Sequence, residues 1–242
     1  MQTQTNPVMQ HLKRSTQSLH DETEAAAFNK LLVTGRIPLP AYIDLLGQLL
    51  LIHQSFESLI RAQMSSSVPL REVIRDYQFQ VGYLLEDLAY FGREIDSIVP
   101  RPTTTASIAG LERIAAAGPI ALLGIHYVFE GSNNGSRFIA RSLRRTYQLD
   151  GTNGTRYFDP YGDRQPEYWA AFKADMAKID FTAADLNLLV EAAREGFSAV
   201  KALHASLEAD YCAPGDIEAV RHAGAQTAAH HRPAHAEDGS RK

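Results

Sequence analysis

YVFEGSNNGSRFIARSL, residues 127–143, decides how this chain is read. Its flanks carry aromatic and aliphatic residues at helical spacing, so Leu122 to Tyr147 reads as one long helix ending in arginines. Gly131 and Gly135 interrupt it, and each glycine weakens a helix by about 1 kcal/mol relative to alanine. Residues four apart share a face, so the two glycines form a strip without Cβ atoms where something flat can approach the main chain. Close packing of a neighbouring helix is the other use of such a strip. Ser132, Asn133 and Asn134 beside it fit a hydrated pocket better than a dry seam.

Outward from this stretch the pattern is helix after helix. Residues 9–33 carry Leu12, Leu19, Ala26 and Leu31 as an apolar stripe before TGRIPLP breaks it, and further helices are expected over 39–64, 70–95 and 105–117. After the glycine-bearing helix comes the turn-rich DGTNGTRYFDPYGDRQP, then two final helices beginning at EYWAAF and TAADLN. Sustained period-two alternation is missing, so the expected fold is all-α, a multi-helix bundle formed by one domain over 1–212. From Ala213 the chain turns poor in large apolar residues, and 213–242 is expected to be a disordered tail whose His230, His231 and His235 have no carboxylate or cysteine to complete a metal site.

Of the 242 residues 45% are hydrophobic and 21% charged, the composition of a soluble globular protein with a sizeable core. Cys212 stands alone, which excludes an internal disulfide and a cysteine-rich zinc site and points to a reducing cytoplasmic setting. The N-terminus lacks the apolar core of a signal peptide, and no apolar run approaches the about 20 residues of a membrane span. A net charge of −4 does not favour wholesale nucleic-acid binding.

Histidine and glutamate recur four residues apart in four places: His20/Glu24, His53/Glu57, His126/Glu130 and His204/Glu208. Each pair is compatible with a plain helix-surface contact. His20 also fits a metal ligand, with Glu24 on its second ring nitrogen and Nε2 left for the metal. Together the pairs allow a cage for two metals inside a bundle, although the Glu-x-x-His spacing of ferritin-like di-iron bundles is absent.

Three segments resemble the heme oxygenase family. LKRSTQSLHDETEAAAFNKLLVTGRIPLPAYIDLLGQLL, from Leu12, looks like its opening helices; YVFEGSNNG resembles the bacterial form of its distal helix; FDPYGDRQPEYWAAF is similar to the bacterial segment that follows. The likeness covers about residues 8–211 and implies a heme-degrading monooxygenase, with heme lying between the first helix and the glycine-bearing one as both cofactor and substrate. By this resemblance His20 is the axial iron ligand, Glu24 its orienting partner, and Gly131, Ser132 and Gly135 the distal positions. A neutral imidazole does not push toward early O–O cleavage as a thiolate does. The expected products are biliverdin, carbon monoxide and ferrous iron.

The resemblance further implies Lys13 and Lys173 as partners of the heme propionates, and more weakly His53. Phe197 is expected against the macrocycle and His126 in a distal network, a packed position or a propionate contact. Many family members carry an aspartate directly after the first distal glycine, where this chain has Ser132, so proton delivery falls to main chain, neighbouring polar groups and water. Oxygen and electrons come from outside; Arg137, Arg141, Arg144 and Arg145 are either a solvated helix end or a docking patch for an acidic ferredoxin or flavin reductase, and a bilin acceptor is expected downstream. A heme or bilin carrier without turnover and a non-heme metal oxidase are the competing functions.

Overall fold

The computed structural model of the chain describes residues 7–220, and among these the fold is all-α, with no strand. Helix α1 (Pro7–Ala25) buries Val8, Met9, Leu12 and Thr16 on one face. It does not run on to residue 33 as the stripe suggests. Ala26 is extended, and α2 (Ala27–Thr34) restarts where the Phe28 N–H donates to the Glu208 carboxylate at 3.0 Å. A carboxylate from the far end of the chain caps the new N-terminus, so nothing local marks the break.

Helix α2 ends at Gly35, whose φ of 69° is left-handed and where a Cβ would lie 2.6 Å from the Thr146 hydroxyl oxygen. Glycine is required there for conformation and for space. Helix α3 (Leu39–Met64) follows as expected. The single helix expected over 70–95 is instead α4 (Val68–Val73), a 3-10 turn at Asp76–Gln78 and α5 (Val81–Tyr90). Glu57 on α3 accepts from the Gln80 and Val81 N–H groups at 2.6 and 2.9 Å, capping α5 from outside.

Helix α6 (Pro102–Ala117) starts at a proline, which suits a first turn, and α7 (Pro119–Tyr147) runs unbroken through both glycines of the opening stretch. Helices α8 (Gln165–Lys178) and α9 (Ala183–Tyr211) complete the bundle, α9 entered through a capping box of Thr182 and Asp185. The close crossing that small residues permit lies between α7 and α9, away from the expected strip. A Cβ on Gly124 would collide with the Leu189 carbonyl, and one on Gly196 would press on Ile125 and Val128 at 3.3 Å.

The turn-rich loop between α7 and α8 is pinned from beneath. Buried Asp87 accepts from the Arg156 and Tyr157 N–H groups at 2.7 and 2.9 Å, and the Tyr42 hydroxyl donates to the Gly154 carbonyl at 2.7 Å. Burial still raises the Asp87 carboxyl to about 6 against these bonds. The tail expected from Ala213 begins otherwise: residues 214–220 are helical, with Val220 buried against the core, while 221–242 and their three histidines lie outside the described residues. No helix among the described residues is long and apolar enough to cross a membrane.

Candidate functional site

A cleft of about 2030 Å³ opens between α1 and α7, with walls from α8 and α9. It exceeds the about 300–1,000 Å³ of an ordinary small-molecule pocket. His20 and Glu24 line it from α1, Gly131, Ser132 and Gly135 from α7, Lys173 from α8 and Phe197 from α9. These seven expected residues, with Lys13 at the same wall as His20, are brought together although they lie as far apart as residues 13 and 197.

The His20 side chain is 47% exposed, with its ring edge on Phe197 at a centroid distance of 5.9 Å. Its Nε2 faces Glu24 and its Nδ1 faces Asp21, each at 3.6 Å, beyond hydrogen-bond length. This corrects the expected arrangement: Glu24 sits beside the nitrogen assigned to the metal, and Asp21 occupies the side assigned to Glu24. The ring stands one residue before Asp21 on an exposed turn, so the nearer chain neighbour takes that side.

The opposite wall answers the question of the glycine strip. A Cβ on Gly135 would meet nothing within 4 Å, and one on Gly131 would meet only the tip of Trp169 at 3.9 Å. No helix packs on this strip; its main chain faces the cleft. Ser132 is exposed and its hydroxyl donates to the Phe129 carbonyl at 2.8 Å. The Asn134 amide donates to the Gly131 carbonyl at 3.1 Å and its oxygen accepts from Gln165 at 3.3 Å, which ties the strip to α8. Trp169, stacked on Phe172 at 5.5 Å, is a wall residue that helical spacing alone did not single out; being the chain's one tryptophan was its only signal.

Residues 6–205 match the sequence model of the family described as Heme oxygenase. The chain belongs to the heme oxygenase family. A heme oxygenase of Xanthomonas campestris pv. campestris is 35% identical over 98 residues, 40% of this chain and 50% of that protein. One from Rhodella violacea is 24% identical over 158 residues, 64% of this chain and 66% of that protein. The matches thus span one half to just under two thirds of these relatives' lengths. In fold the chain is similar to heme oxygenase-2 of Synechocystis sp. PCC 6803, solved in complex with heme and NO, with a TM-score of 0.82 at 22% identity over 90% of this chain and 93% of that one. The heme oxygenase of Leptospira interrogans gives 0.76 at 16% identity, over 82% and 98%.

The residues present fit the family's heme. A half-exposed imidazole on one wall and a bare glycine main chain on the other face a cleft with no protein atom where the glycines' Cβ atoms would be. Lys13 and Lys173 put positive charge on its rim.

His126 does not belong to this set. It is buried between the rings of Phe56 and Phe172, does not reach the cleft, and burial lowers its pKa to about 3. His53 is likewise interior, 3.1 Å from the Tyr157 hydroxyl, with burial and the neighbouring His126 lowering its pKa to about 3. In three of the four repeated pairs the carboxylate has a partner outside its own helix: Glu57 caps α5, Glu130 accepts from the Tyr161 hydroxyl at 2.7 Å, and Glu208 caps α2. Among the described residues His20, Asp21 and Glu24 form the one group of three metal-ligand types, with donor atoms within 4.8 Å. Among the described residues a two-metal cage therefore has no set of ligands to build it.

The arginine cluster is also divided. Arg144 is turned inward, donating to Thr155 at 2.7 Å and paired with Asp159 at 3.0 Å, so it anchors the loop; Arg141 and Arg145 are exposed.

Proposed function

We propose that this chain degrades heme to biliverdin, carbon monoxide and ferrous iron, using dioxygen and electrons delivered from outside. The observation that carries the reading is the strip of Gly131 and Gly135, which no helix covers and which lines the same cleft as His20. Bound heme supplies the iron that activates dioxygen and the carbon framework that is oxidised. His20 is the residue to hold the iron, through its imidazole on an exposed face of α1. Lys13 and Lys173 orient the macrocycle through its carboxylates, and the Phe197 ring fixes the His20 imidazole edge-on. The glycine main chain leaves room for a small ligand on the other face while α7 keeps bulk solvent from that side.

The electron donor in this reading is an acidic ferredoxin or flavin reductase that meets exposed Arg141 and Arg145, and a bilin acceptor takes the product. A donor bound this way works more slowly as salt rises, and Arg141→Glu slows it further.

Hemin added to the purified protein is expected to give a sharp Soret band of imidazole type that His20→Ala abolishes. With ascorbate or a reductase system the band decays as a bilin band grows. An unchanged spectrum in His20→Ala rejects the ligand, and a complex that survives reductant and air makes the protein a carrier.

A further inference from the structure

The face of α7 behind the glycine strip carries its own row of polar side chains. His126, Glu130 and Asn133 follow one another at spacings of four and three, are 3%, 1% and 5% exposed, and each leaves one polar atom without a partner in the fold: His126 Nε2, Glu130 Oε2 and Asn133 Nδ2. Buried polar atoms are nearly always satisfied, by protein or by water. Neighbours at this spacing have Cβ atoms about 5–6 Å apart, the span one water bridges with two ordinary hydrogen bonds, and buried polar atoms left over by the protein are what a buried water takes.

The row has an exit and an anchor. Asn133 also lines the cleft, whereas His126 and Glu130 do not. Glu130 Oε1 accepts from the Tyr161 hydroxyl at 2.7 Å, and Gln80 donates to that hydroxyl oxygen at 3.3 Å. On the cleft wall itself Ser132 carries no acid. Its hydroxyl proton goes to its own helix.

We propose that Glu130 holds the proton for the cleft: it binds water between its free oxygen and Asn133 and protonates that water, acting as a positioning and proton-storing residue. The inference rests on the heme-degrading reading above. In the step, the O–H bond at Glu130 Oε2 breaks and one forms on the water oxygen, while that water, held by an N–H of Asn133 Nδ2, releases one of its own protons to water in the cleft. The carboxylate left behind keeps the Tyr161 O–H bond, and a solvent proton returning by the same path restores the acid. No electrons move.

The surroundings suit a carboxyl that titrates near neutrality. Burial raises it to about 7, with the Tyr161 hydrogen bond opposing. The titratable groups facing it are Tyr161 from the α7–α8 loop, Tyr77 from the 3-10 turn, Tyr83 from α5 and His126 on its own helix. The tyrosines are all raised by burial and His126 is lowered, so every one of these neighbours is neutral at pH 7.

Infrared spectra of the full chain without hemin, taken as wild type minus Glu130→Gln so that the band of buried Asp87 cancels, test the storage: a carboxyl band that titrates near neutral pH is expected in the difference. Single-turnover heme degradation against pH tests the role. Wild-type rate should fall as pH rises through that titration; Glu130→Gln should bind hemin as before, react about 10²-fold slower and lose that limb. Tyr161→Phe keeps the acid but removes a donor to its carboxylate, so both the band and the limb should move to higher pH; it serves also if Glu130→Gln fails to fold. No titrating band, or a Glu130→Gln rate and profile like the wild type, overturns the inference alone. A wild type that leaves hemin intact overturns the heme-degrading reading and this inference with it.

Discussion

Alanine at the four helical glycines of α7 and α9 should divide them into two classes of opposite sign. At Gly135 the space beside the main chain is open, and at Gly131 the nearest atom is 3.9 Å away, an ordinary contact. Alanine there removes only the helix penalty of glycine, so each substitution should stabilise the unloaded protein by about 1 kcal/mol, or about 2–4 °C in Tm for a chain of this size. At Gly124 the added Cβ collides with the Leu189 carbonyl and lies 2.9 Å from the Ala192 Cβ, and neither can swing aside. Overpacking of that kind costs about 1–3 kcal/mol.

Function should run the other way at the strip. A Cβ on Gly135 stands in the cleft and moves a bound macrocycle outward, and misplacement by about 1 Å can cost about 10²-fold in rate. Melting of the unloaded variants, followed by hemin titration and single-turnover bilin formation, reads both effects on one set of proteins. Gly135→Ala should melt higher and work worse, while Gly124→Ala should melt lower. If Gly135→Ala melted below the wild type, the strip would be packed against protein, and the case for a ligand there would fail.

Arg101 pairs with Asp44 at 2.7 Å and Asp210 at 2.6 Å and donates to the Ser206 hydroxyl at 3.0 Å, joining the start of α6 to α3 and α9. Arg101→Gln leaves Asp44 partly buried without its cation and should cost about 3 kcal/mol in urea unfolding with hemin affinity unchanged; a loss under about 0.5 kcal/mol would show the cluster to be decorative. His53, His126 and His204 have pKa values lowered by burial to about 3, 3 and 4 from 6.5, so the unfolded chain takes up protons that the fold refuses. The stability this confers is fully present above 6.5 and is lost as pH falls toward 3–4, and His204→Leu should reduce the slope of the urea midpoint against pH by up to one proton, about 1.4 kcal/mol per pH unit. An unchanged slope would mean that His204 is solvated.

What was legible in the sequence was whatever a helix writes locally. The apolar period gave α3, α7 and α9 nearly to the residue, and the spacing of Gly131 and Gly135 placed both on the cleft. Three features were not legible, because each depends on a partner distant in the chain. The break at Ala26 is set by Glu208, the break before Val81 by Glu57, and the loss of His126 from the cleft by the rings of Phe56 and Phe172. The side of His20 on which Glu24 lies was missed for another reason: helical spacing fixes which side chains are neighbours and leaves open which ring nitrogen meets which carboxylate.

These misses share a cause in the fourfold His/Glu repeat. Three of its carboxylates leave their own helix to satisfy groups elsewhere: Glu57 and Glu208 close helix N-termini, and Glu130 takes the Tyr161 hydroxyl. The histidines one turn before them, His53, His126 and His204, are buried and held neutral. Each of these carboxylates spends an oxygen on a donor outside its own helix, and burial disfavours a charge on the imidazoles beside them. The repeat is therefore a device for joining helices in three of its four appearances. Only at His20 and Glu24 are both side chains exposed; His204 also borders the cleft, but it is buried and its carboxylate neighbour is drawn to α2.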